Sequence, residues 1–237
     1  MVTRFENLCA RFSYFILALI ITTVVVAGFG QTVNARLLHS PTPRATIIYF
    51  HAVIFMGWVI LFVLQTALIA ADNVKLHRKV GMLGFALGIT IPLMGMATTI
   101  VNMRLSKLTS HRDPAPFLAI SLNDMIAFSV FFGLAIYWRK KSDWHRRSMF
   151  IATCTLTSAA FLRLLLLTSL DSPIKWQYVG VDALILLGLA RDWIVNKRIH
   201  PVYLYSLPAV LLAQLIAEHL YLSGSPAWVA IADRLLG

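Results

Sequence analysis

The chain has 237 residues, of which 59% are hydrophobic and only 13% charged, a balance outside that of soluble globular domains. Its formal net charge of +11 comes from Lys and Arg in loops between apolar runs, not from one basic amphipathic face, which points to anionic lipid headgroups and away from nucleic acid. Cys9 and Cys154 fall in the amino-terminal segment and inside an apolar run, so a disulfide framework has nothing to hold.

A helical crossing of the hydrocarbon core needs about 20 mostly apolar residues, and about seven segments satisfy that rule. In chain order they are Phe12 to Gly30, Thr46 to Ala71, Val80 to Asn102, Phe117 to Trp138, Ser148 to Ser169, Tyr178 to Val195 and Val202 to Ser223. Residues 1–237 therefore read as a single all-α polytopic transmembrane bundle with no room for a separate soluble domain. The first run follows a short basic stretch as a signal peptide would, with Val33-Asn34-Ala35 as a poor cleavage site. It exceeds the ~7–15 residues of a signal core and reads as a retained span. Pro41, Pro43, Pro114, Pro116, Pro173 and Pro201 punctuate loops, whereas Pro92 and Pro208 fall inside spans and should kink them.

With the amino terminus in the cytoplasm, that side collects Arg4, Arg11, Lys75, Arg78, Lys79, Arg139, Lys140, Lys141, Arg146, Arg147, Arg191, Lys197 and Arg198. These outnumber the basic residues opposite, so the positive-inside bias favours a cytoplasmic amino terminus. Trp138, Trp144, Trp176 and Trp193 flank span ends as interfacial anchors, and Trp228 to Leu236 reads as a short amphipathic helix on the outer surface.

Ionisable groups within spans are costly and so carry the functional signal. Alternating helix direction sorts them into two layers. The outer layer holds His51, Asn123, Asp124, Arg163, Asp182, Glu218 and His219, and the cytoplasmic layer Gln65, His77, Arg78, His145, Arg147, Asp192 and His200. His51, Phe55, Trp58, Phe62 and Gln65 share one stripe of the second span. In the third, His77, Gly81, Gly84, Gly88 and Gly95 share roughly one face, with Gly84 and Gly88 forming a GxxxG pair. Such a groove serves close helix packing, or else receives a flat macrocycle whose iron takes His77 as an axial ligand. His77 and His145 each open a span beside arginines, which suits a solvated interfacial role as well as ligation.

In the outer layer, Arg163, Asp182 and Glu218 are least costly when paired with one another. The same layer offers His51, Asp124, Asp182 and His219 as ligands for Zn²⁺. His39 and His111 sit in outer loops beside prolines and read as exposed. No phosphate loop, dinucleotide fingerprint, nucleophile elbow or HExxH pair is present.

His51-Ala52 with Trp58, Gln65 and Leu76-His77-Arg78-Lys79-Val80-Gly81, then Trp144-His145-Arg146-Arg147-Ser148-Met149 and Arg163, resembles a family of uncharacterised bacterial membrane proteins known by a placeholder domain name. The likeness covers residues 51–163, the core histidine-bearing helices. That family is similar in layout to the ascorbate-dependent di-haem cytochromes b, in which four consecutive helices each give one histidine and the first pairs with the third, the second with the fourth. The resemblance implies that His51, His77 and His145 match the first, second and fourth ligands, with Asn123 and Asp124 where the third is wanted.

The leading expectation is a b-type cytochrome-like electron carrier of the bacterial inner membrane, holding haem b between the third and fifth spans and exchanging electrons with a quinone or redox partner. Its ligands are His77 and His145, its propionate partners Arg78, Arg146 and Arg147, and its groove Gly81, Gly84 and Gly88. The alternatives are a membrane-embedded Zn²⁺-dependent lipid hydrolase at the outer site, and a transporter or accessory subunit whose buried charges orient helices or relay protons.

Overall fold

Apolar runs that exclude water must satisfy their own amides, and the helix is the element that does so within one segment. The computed structural model describes residues 4–34, 39, 44–109 and 115–236. Pro41, Pro43, His111 and Pro114, and the side chains of Arg4 and Cys9, lie outside the described residues. The helices are α1 (Arg4–Val33), α2 (Thr46–Ala70), α3 (Val74–Thr109), α4 (Leu118–Tyr137), α5 (Ser142–Thr155), α6 (Ser158–Leu165), α7 (Gln177–Asn196), α8 (Pro201–Ser223) and α9 (Pro226–Leu236). No strand occurs among the described residues.

Among the described residues six stretches are long and apolar enough to cross a membrane: Ala10–Gly30, Thr46–Ala70, Val74–Leu108, Ala115–Tyr137, Ser142–Leu165 and Pro201–Ser223. Helix α7 stands apart from them because Asp182, Arg191 and Asp192 interrupt its apolar run. The surface is apolar where lipid would touch it, with Phe50, Val53, Ile60, Met82, Leu93 and Leu215 exposed, while Asp124, Arg147, Asp192 and Gln214 are buried. That inversion of the soluble pattern is what a bilayer solvent selects.

Helix ends follow local chemistry. Asp72, Ser172, Lys197 and Gly224 take positive φ at turns, and His200 caps α8 by accepting the Val202 N–H on Nδ1, with Pro201 in the first turn. Helix α3 begins at Val74, six residues before the expected Val80, because the Asn73 side chain accepts the Leu76 N–H at 3.1 Å and starts the helix there. His77 therefore lies in its first turn.

The expected Ser148–Ser169 span is longer at its start and broken into α5 and α6. Thr155 and Thr157 turn their hydroxyls back onto the carbonyls of Ala152 and Cys154, and the helix parts at Leu156 and Thr157. Helix α4 packs against α3, α5 and α8, while α1 packs against α2, α6 and α7. Between them Trp58 meets Phe128 and Phe132 edge-on, with centroids 5.2 and 5.8 Å away, in the centre of the core.

Candidate functional site

At one end of the bundle the first turns of α3 and α5 bring two imidazoles face to edge. The His77 and His145 rings have centroids 6.5 Å apart and planes at 81°. His145 Nδ1 is 2.8 Å from the Ala135 carbonyl at the end of α4, so that nitrogen carries a proton and donates it to the carbonyl. His77 Nδ1 and the neighbouring Gln65 Oε1 are buried without a hydrogen-bond partner. Gln65 reaches in from α2, its Nε2 3.6 Å from where a Cβ on Gly81 would stand.

Two imidazoles are the donor chemistry that a haem iron takes, and were both in-plane lone pairs aimed at one metal at about 2.0–2.1 Å, the ring centroids would stand about 6.4 Å apart. Edge-to-face packing of two aromatic rings covers ~4.5–7 Å and accommodates the same spacing.

The expected glycine groove is corrected. A Cβ on Gly88 would fall 2.2 Å from Phe132, and one on Gly84 3.3 Å from Leu61, so side chains of α4 and α2 cover that face and leave it to helix packing. Gly81, beside Gln65, is the one of the three next to the imidazole pair. Arg147 is corrected as well. Its Nε and Nη2 form a bidentate pair with Asp192 at 2.6 and 2.9 Å, and both residues are buried, so the guanidinium faces protein. Asp192 also accepts from Arg191 at 3.1 Å and Asn196 at 3.0 Å, and Arg191 reaches Ser13 on α1. Arg78 is exposed, whereas Arg146, bonded to Asp143, keeps a buried Nε without a partner.

Beside the pair, Trp138 packs on Trp144 at 4.5 Å and Trp144 on His200 at 4.9 Å, forming an aromatic step toward exposed Tyr137. Burial and then Arg147 hold His200 below the usual imidazole range.

At the opposite end the polar residues do not gather as expected. His51 stacks on Phe55 at 4.0 Å, Asp182 accepts from Gln214 at 3.1 Å, and His219 is exposed. Asp124 is buried and bonds Ser158, Tyr178 at 3.0 Å and Asn123 at 3.4 Å. Among the described residues no three His, Cys, Asp or Glu converge on a metal position, so His51, Asp124, Asp182 and His219 do not form one site. Arg163 stands 4.2 Å over the Phe29 ring and donates to the Ala159 carbonyl, where pairing with Asp182 and Glu218 was expected.

Sequence reasoning missed Ala135, whose contribution is a backbone carbonyl with no side-chain signature, and Ser158 and Tyr178, which are ordinary membrane-helix residues until the fold sets them around Asp124. Compared with protein-family models, curated proteins and solved structures, the chain matches none.

Proposed function

We propose that the protein is a membrane b-type cytochrome-like electron carrier in which His77 and His145 would hold one haem b between α3 and α5. The observation that carries this reading is the spacing of the two rings, 6.5 Å between centroids, together with a His145 whose Nδ1 proton is committed to Ala135. Haem supplies one-electron exchange at a potential set by its axial ligands and their surroundings. The chain orients His145 through its Nδ1 proton, keeps His77 partly out of water and offers the free Arg146 Nε to an anionic propionate. Trp144, Trp138 and Tyr137 lead from His145 to the surface, where a quinone or redox protein would exchange the electron.

The reading includes about seven crossings, α7 being carried through by its internal ion pair, a cytoplasmic amino terminus and a bacterial inner membrane. A reduced-minus-oxidised absorption spectrum of protein expressed with ample haem tests it. The expected result is a b-type spectrum that disappears in both His77→Ala and His145→Ala while the helical content stays. A colourless wild-type protein overturns it and leaves the pair as edge-to-face packing.

A further inference from the structure

The buried carboxylate at the other end has no part in haem binding. Asp124 lies in α4, which packs against α3, α5 and α8, and Ser158 at the start of α6 and Tyr178 in the first turn of α7 reach its carboxyl. Its partners are the Ser158 hydroxyl, the Tyr178 hydroxyl and the Asn123 amide, all neutral, and Asn123 Nδ2 also donates to the Tyr178 oxygen at 3.0 Å. The contrast with Asp192, which is equally buried but has two arginines, is one of chemistry. An ionised carboxylate in a low-dielectric interior is stabilised by a cation, and without one the neutral acid is the state with the smaller solvation cost.

Next to Asp124 is a small internal cavity lined by Asn123, Thr155, Tyr178 and Gln214 among others, with room for about one water molecule. The helix break between α5 and α6 creates this place, since it turns Thr155 toward the cavity and Ser158 onto the carboxylate. From the cavity, Gln214 leads to Asp182 on α7, and one turn further along α8 stands half-buried Glu218. Glu218 precedes Tyr221, which packs on Phe117 at the α9 end of the bundle. The groups facing Asp124 from α5, α6, α7 and α8 are thus Thr155, Ser158, Tyr178 and Gln214, with Asp182 and Glu218 as the charged groups beyond them.

We propose that Asp124 is a proton-binding site inside the membrane domain, exchanging its proton with water in the adjoining cavity. On release, the carboxyl O–H bond breaks and its proton passes to the cavity water, whose hydronium gives it up to solvent water. Asp124 is left as a carboxylate stabilised by Ser158, Tyr178 and Asn123. The site is independent of the haem reading, and a colourless protein leaves it standing.

The test uses the full-length protein in liposomes and two readouts. Infrared spectroscopy should show a protonated-carboxyl C=O band that is lost in Asp124→Asn and shifted in Ser158→Ala. Dicyclohexylcarbodiimide, which attacks protonated carboxyls in apolar surroundings, should label the peptide carrying Asp124, and raising the pH from mildly acidic to alkaline should slow that labelling at least roughly tenfold. A wild-type band unchanged in Asp124→Asn, or no label on Asp124, overturns the proposal. If Asp124→Asn fails to fold, an unshifted band in folded Ser158→Ala overturns it instead.

Discussion

The two ends of the bundle bury a carboxylate each, and they treat it in opposite ways. Asp192 receives hydrogen bonds from Arg147, Arg191 and Asn196, which tie α5 and α7 together, and Arg191 carries the tie on to α1. Asp124 receives only hydroxyls and an amide. A buried acid whose charge is matched by arginines is an anchor with a fixed protonation state. One held by neutral donors keeps the choice between two states. The pairing of buried charges, and not their mere presence, separates scaffold from chemistry in this molecule.

Removing the anchor should have the largest effect. Asp192→Ala leaves two arginines buried without a counter-charge and should cost about 3–5 kcal/mol, read as a lowered thermal midpoint in detergent. An effect as small as that of Asp124→Asn would erase the distinction between the two ends. Next comes Gly88→Ala, which drives a methyl into Phe132 and should cost about 1–3 kcal/mol, partly recovered with Phe132→Leu. Loss of haem without loss of stability would instead return that glycine to the cofactor site. Ser158→Ala should cost about 1–2 kcal/mol by stripping one donor from Asp124, and a neutral result would mean that the hydroxyl contributes nothing there.

The smallest effect concerns His200. Its folded-state proton affinity is depressed, so the unfolded chain takes up a proton first as pH falls. Stability is full above the ordinary imidazole value of 6.5 and declines below it, as the cap on Val202 is lost. Melting curves across that window should be steeper for the wild type than for His200→Asn, which retains a capping oxygen. Parallel curves would remove His200 from the pH response.

Six long apolar helices were legible because a continuous apolar run has few alternatives to a membrane helix, and His77, His145, Arg147 and Asp192 were assigned to one depth from helix direction alone. Depth, however, does not name partners. Arg147 was expected to face a propionate and faces Asp192, 45 residues away. Gly84 and Gly88 carried a pattern common to packing and to cofactor grooves, and only the placement of Leu61 and Phe132 separates the two. The break between α5 and α6 was illegible because threonines that bend one membrane helix are accommodated straight in another.

The turn joining α2 to α3 is short, and Arg11 on α1 holds it by pairing with Asp72 at 2.7 Å and donating to the Ala70 carbonyl. Arg11 is made long before either partner. The clasp can therefore close only after the hairpin behind the first helix has been synthesised.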